Sequence, residues 1–429
     1  MSGRVLSLSV PLRFIITGLV SLLAATLFCA VRPEILATYH YNQHVLAVTH
    51  LITLGWICSV IMGAMYQLVP VALETQLHHE PMARWHFGLH VISSFGMVWM
   101  FWKWNPIGVA GFGLLVGIGI LLFVYNLTRT LRRAPHWNVV ATGIASALAW
   151  LSLTMVAGLW AAAAKSWTFS PFDPIAQMHA HAHLGGVGFF LLTLVGVSYK
   201  LVPMFVLSEI QNVRRARWSL RLINTGLIGL ILTMLVRSPG EAAMASIVIV
   251  GVILYALEMC AILRARKRRF LDWGLRYFLT GLALLLPLCA LAVVLCWPSL
   301  PVTVFTTQLE NVYGFVALMG LITLALMGML YKILPFLVWY ARYSREIGRR
   351  KVPALADLYS ARLQIAGYPL FILGLAVVSA ATMLGHAGGI RVGALFLMAS
   401  QAVFFINTVK MLLHLRASPG SASSFPTTS

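Results

Sequence analysis

Twelve apolar stretches, most of them about 20 residues or longer, restrict this chain to one kind of solvent. Crossing roughly 30 Å of hydrocarbon takes about 20 helical residues. The stretches 14–31, 44–70, 86–104, 106–126, 139–164, 177–204, 218–236, 242–264, 271–297, 309–340, 360–384 and 391–414 approach or exceed that length. Backbone polar groups in lipid must be satisfied within their own segment, so the expected fold class is an all-α integral membrane protein. Only 10% of the 429 residues are charged, where a soluble domain carries about 25%. That low proportion excludes a secreted disulfide scaffold, a disordered chain and a collagenous fibre.

The net charge of +20 could suggest nucleic acid, but its placement points elsewhere. Basic clusters follow the even spans: Arg129, Arg132 and Arg133; Arg214, Arg215 and Arg217; Arg264, Arg266, Lys267, Arg268 and Arg269; Arg345, Arg349, Arg350 and Lys351. After odd spans stand only one or two basic residues, such as Arg32, Lys103, Lys165, Arg237 and Arg391. The positive-inside rule then predicts a multi-pass protein of the inner (cytoplasmic) membrane with both termini cytoplasmic, and Arg4, Arg13, Lys410 and Arg416 agree. The lipid bilayer is the expected partner and nucleic acid is not, because the basic residues are scattered over short loops on one side. No cleavable signal is evident, so the first stretch reads as a retained span. Cys29, Cys58, Cys260, Cys289 and Cys296 lack CxxC spacing and read as packing residues, and 418–429 reads as a disordered tail.

One pattern, G-x7-G-x-x-Y-x-[LI]-[VL]-P, recurs in the second, sixth and tenth spans. Its copies are Gly55, Gly63, Tyr66 and Pro70; Gly188, Gly196, Tyr199 and Pro203; and Gly320, Gly328, Tyr331 and Pro335. The chain therefore divides into three pseudo-repeats of four spans, at 1–133, 134–266 and 267–417. Small residues at this spacing let a neighbouring helix or a flat ligand approach closely. The proline, at the arginine-rich side, is expected to end the helix.

His50 and His183 each stand five residues before the first motif glycine, where the third copy has Phe315. Twenty residues of helix separate them from Pro70 and Pro203, about 30 Å, so both imidazoles lie near the outer face. The sixth span opens Gln177-Met178-His179-Ala180-His181-Ala182-His183, and the second also carries His44. His179 and His183 share a helix face while His181 points roughly the other way. Neutral imidazole is the commonest metal ligand and an axial ligand of haem iron, so His44, His50, His179, His181 and His183 are candidate ligands. Gly55 and Gly188 are candidate cofactor neighbours. Polar residues at a wet helix mouth are the competing account.

His86, His90, His78, His79 and His136 read as interfacial residues of the opposite side, where His414 also ends the last span. His40 and His386 fall on the outer side and could join the cluster through loops. In the third copy the same depth holds Gln308, Glu310, Asn311 and Tyr313; Glu310 could orient an imidazole, accept a proton or simply end a helix. No phosphate-cradling loop, nucleophile elbow or carboxylate pair at the histidine level supports soluble-enzyme chemistry.

Twelve spans in three repeats, outer histidines on equivalent helices, and the recurring glycines and proline resemble the heme-copper oxidase subunit I superfamily, including its NnrS-like branch. His50 with Gly55, Gly63 and Pro70 looks like the NnrS haem-associated helix. His181-Ala182-His183 with Gly196 and Pro203 is similar to the oxidase span whose alternate histidines face two haems. The resemblance implies a heme-copper oxidase subunit I-like fold and haem b held by His50 with one or more of His179, His181 and His183, with His50 and His183 the first choice. It implies electron transfer, or binding or reduction of O2 or NO, with other redox subunits or a cytochrome or quinol donor as partners. The seventh and tenth spans have no histidine, so the oxygen-reducing centre does not transfer position for position, and copper stays an open second metal. A haem-free transporter of a transition metal or small molecule, and a subunit that kept the fold without the chemistry, are the readings of other classes.

Overall fold

The computed structural model describes residues 9–167, 169–349 and 351–416; Arg4, Arg350 and the expected disordered tail lie outside the described residues. All regular elements among the described residues are helical. Twelve are long: α1 Ser9–Val31, α2 Gln43–Ala72, α3 Glu80–Trp102, α4 Pro106–Leu131, α5 Val139–Ser166, α6 Pro174–Val206, α7 Val213–Leu235, α8 Glu241–Arg264, α9 Trp273–Leu295, α10 Val304–Glu346, α11 Ala361–Met383 and α12 Ala387–Leu413. Eleven are long and apolar enough to cross a membrane. The exception, α3, is long enough at 23 residues but carries Glu80, Arg84, His86 and His90. The chain is a multi-pass, all-α membrane protein.

Polar residues just outside the apolar runs set where most helices begin. The side chains of Asn42, Asn105, Asn138, Asp173, Asn212, Asp272, Thr303 and Ser360 each accept from backbone N–H groups of the turn that follows. Such caps satisfy donors that have no partner inside the helix.

The three helices carrying the repeated motif are the most buried of the eleven and form the interior. In each, the motif glycines face the first helix of the same repeat. An added Cβ at Gly55 or Gly63 would meet Ser21 or Phe14 of α1; at Gly188 or Gly196, Trp150 or Gly143 of α5; at Gly320 or Gly328, Leu284 or Gly274 of α9. The inner helices also meet each other, as where Trp56 Nε1 donates to Thr323 Oγ1 at 3.0 Å between α2 and α10. The other nine surround them, and α12 closes on α1 through Thr26 Oγ1 donating to Gln401 Oε1 at 2.7 Å.

Each inner helix widens into a π-helical segment at the same repeat position: Leu51–Cys58, Leu184–Leu191 and Val316–Ile322, starting directly after His50, His183 and Phe315. Such segments are rare and concentrate at functional sites.

Two expectations need correction. Pro70, Pro203 and Pro335 do not end their helices but lie inside them. A proline within a transmembrane helix is tolerated when its surroundings take up the freed backbone groups; the carbonyls of Pro70 and Pro203 themselves accept from Thr75 and Ser208 where those helices finish. His86 and His90 are not interfacial: they are 0% and 3% exposed, with His86 Nδ1 2.9 Å from Tyr66 Oη and His90 Nε2 2.9 Å from Ser59 Oγ.

At the arginine-rich end, Glu258 of α8 is fully buried and fixes the start of α7. Its carboxylate accepts from the Gln211 and Asn212 amides at 2.7 and 3.0 Å and from Arg215 Nε at 2.7 Å. Glu258→Ala leaves three donors without their acceptor and is expected to cost about 3 kcal/mol. The check is thermal unfolding of the purified protein in detergent, in which Glu258→Gln should lose less because it keeps an acceptor oxygen.

Candidate functional site

A cavity of about 570 Å³ opens among the inner helices. Its imidazole-bearing and charged lining residues, His40, His50, Lys165, His179, His181, His183, Glu241 and Glu310, all lie at the end opposite the arginine clusters. The remainder of the lining is mostly apolar, so the polar groups converge at one end of a greasy chamber.

Three of the five candidate ligands are held alike. His50 donates from Nδ1 to the Leu46 carbonyl at 2.7 Å, His181 to Thr154 at 3.1 Å and His183 to His179 at 2.8 Å. A carbonyl can only accept, so each Nδ1 carries a proton, and in the neutral ring each Nε2 keeps its lone pair. None of these Nε2 atoms has a hydrogen-bond partner among the described residues. For His50 and His183 the acceptor is the residue four earlier in the same helix, so the helix itself aims the ring. His181 reaches across to α5 and lies against Gly158, whose added Cβ would stand 2.8 Å from His181 Cε1.

The rings pair as alternation along α6 dictates. His50 and His181 have ring centres 6.4 Å apart with planes 17° from parallel. His183 faces Tyr313 of α10 at 6.1 Å. The structure thus brings His50 to His181, from the first and second repeats, and turns His183 toward the third.

His179 stacks on His40 with ring centres 5.7 Å apart, and His40 Nδ1 lies 3.5 Å from Glu310 Oε2. His44 does not reach the cavity: its ring stands edge-on to Trp102 at 4.6 Å and lines a separate pocket with Arg32 and Tyr39. Gly55 and Gly188 also stand apart from the cavity, against Ser21 and Trp150. Among the glycines that line it, Gly186 and Gly314 leave open space, since an added Cβ at either would meet nothing within 4 Å. His386 caps α12 by accepting from the Gly389 amide at 2.9 Å.

At the rim, Lys165 donates to the Tyr41 hydroxyl. The Asp173 carboxyl is held below its ordinary range, first by the Ala176 amide and then by Arg237 at 2.6 Å. Burial pushes the His40 imidazole below its ordinary value, which keeps it neutral near pH 7. What sequence reasoning missed was the company of His40 and Glu310, distant in the chain and joined by a loop, together with Gly158 and Gly186. The only signal for Gly186 was the Gly185-Gly186 pair that follows the histidine run. When the chain is compared with protein-family models and with curated proteins, no match appears in either.

Proposed function

We propose that this chain is a membrane haem b protein in which His50 and His181 hold the iron from two different repeats, for electron transfer or for binding or reduction of a diatomic gas such as O2 or NO. The observation that carries this reading is the separation of the two rings. Two imidazoles that approach one metal through Nε2 from opposite sides, each at about 2 Å, have ring centres roughly 6.3 Å apart; His50 and His181 stand 6.4 Å apart with both Nδ1 atoms already engaged. The donor set also fits in character, because neutral imidazoles whose second nitrogen is tied to a carbonyl are oriented ligands. The space suits a cofactor: about 570 Å³, largely apolar, with Gly186 and Gly314 leaving room at the wall.

Bound there, haem would supply one-electron redox chemistry, and gas binding if one of the two imidazoles gives up its place. The protein's part is to exclude water with its apolar lining and to hold both imidazoles neutral and aimed. The heme-copper oxidase-like organisation, the inner-membrane location and the cytoplasmic placement of both termini belong to the same proposal, supported by arginine clusters at the end away from the histidines. An electron donor would then be a redox subunit, a cytochrome or a quinol.

The test is the absorption spectrum of the full chain purified after expression with haem supply, oxidised and then reduced. A Soret band with sharpened α and β bands on reduction is expected. Protein without a Soret band, carrying zinc or copper but no iron, would instead favour the haem-free metal transporter, a reading supported by the His40, His179 and Glu310 group at the cavity's polar end.

A further inference from the structure

We infer that His40, His179 and Glu310 form a second metal site, taking a divalent first-row transition-metal ion such as iron(II), copper(II) or zinc. The three residues come from three repeats: His40 from the loop before α2, His179 from α6 and Glu310 from α10. One ligand atom from each lies within 4.8 Å of the other two. Ligands around one ion at about 2.1 Å stand about 3 to 3.5 Å apart. His40 Nδ1 and Glu310 Oε2, at 3.5 Å, already have that spacing.

The unsatisfied state of these groups points to a ligand. Both ring nitrogens of His40 are buried and neither is hydrogen-bonded. A buried polar ring without partners is costly and calls for an explanation. Glu310 pairs with no Lys or Arg among the described residues. A divalent cation would satisfy both groups at once.

The loop is built to hold His40 there. Gln308 Nε2 donates to the Ala37 carbonyl and Asn311 Nδ2 to that of Thr38, each at 2.9 Å, tying the loop to the turn that bears Glu310. On its other side, Asn42 Nδ2 donates to the Tyr39 carbonyl at 2.7 Å. Two imidazoles and one carboxylate leave positions open for water or a small ligand, and imidazole favours iron, copper and zinc over magnesium and calcium. The site uses neither His50 nor His181, so it stands whether or not haem binds.

The experiment strips the purified full-length protein with chelator, reloads it with copper(II) or zinc, and measures bound metal and the copper EPR spectrum. About one tightly held equivalent is expected in the wild type, with nitrogen hyperfine structure from two imidazoles. His40→Ala and Glu310→Gln should each weaken retention about tenfold or more without changing haem content, while His136→Ala at the opposite end changes nothing. Wild-type protein that retains no metal, a copper signal without nitrogen hyperfine structure, or variants that bind like wild type would overturn the inference. Because the wild-type EPR signal is itself decisive, a variant that fails to fold does not rescue it.

Discussion

Alanine at His181 is expected to strip the purified protein of its Soret absorbance, with haem per chain falling about tenfold or more, and alanine at His50 to do the same. His183→Ala is expected to keep most of that absorbance. The difference follows from the direction of each ring. His181 projects toward His50 and is tied across to the Thr154 carbonyl, whereas His183 lies one helical face away, beside Tyr313. All three rings share a tautomer and the same cavity, so chemistry alone does not separate them; geometry does. Gly158→Ala adds an independent test without touching a ligand. Its Cβ would stand 2.8 Å from His181 Cε1, so the ring must shift and the Soret band should weaken or move while the fold survives. Haem content by pyridine haemochromogen assay measures each case. Equal losses in His181→Ala and His183→Ala would sink the pairing of His50 with His181.

The span pattern was legible because hydrocarbon demands long apolar helices, and the twelve long helices follow the twelve stretches. The equivalent placement of His50 and His183 was legible because both stand at the same repeat position, and each directly precedes the π-helical segment of its helix. Reckoning depth from the start of the apolar run failed for His86 and His90. The apolar run begins at residue 86, but α3 begins at Glu80, because His79 caps it by accepting from the Met82 amide at 3.1 Å and Pro81 stands in the first turn, from which the helix extends through charged residues. The start therefore moves by about 9 Å and carries both histidines inside. The motif glycines were read as serving a helix or a flat ligand; Gly55 and Gly188 serve a helix. The π-helical segments had no sequence signal, since nothing in Leu51–Cys58 sets it apart from an ordinary apolar turn. That His40 and Glu310 meet each other was not legible for a different reason. Their meeting depends on a loop fastened by Gln308 and Asn311, and such contacts between distant residues leave no periodicity to read.

Gly196→Val is expected to prevent stable folding, whereas Gly186→Ala, ten residues earlier in the same helix, is expected to leave it intact. Helix propensity does not distinguish these sites, since both are helical glycines. What a Cβ would meet does. At Gly196 it would lie 3.0 Å from the Cα and 3.1 Å from the carbonyl carbon of Gly143, and at Gly143 it would lie 2.6 Å from Gly196 Cα. These obstacles are backbone atoms of α5 and α6, which no rotamer change can move. Separating the helices would also break contacts along their length, so a branched side chain should cost about 3 kcal/mol or more, at or beyond the upper range for overpacking. Gly328 repeats the arrangement against Gly274 O, at 2.4 Å, so Gly328→Val should behave alike. At Gly186 nothing lies within 4 Å, and a methyl group there only enters the cavity. Thermal unfolding in detergent measures the contrast: a large loss for Gly196→Val and Gly328→Val beside a nearly unchanged midpoint for Gly186→Ala. If Gly196→Val melted with the wild type, the close contact of α5 and α6 would not be the packing that holds the second repeat together.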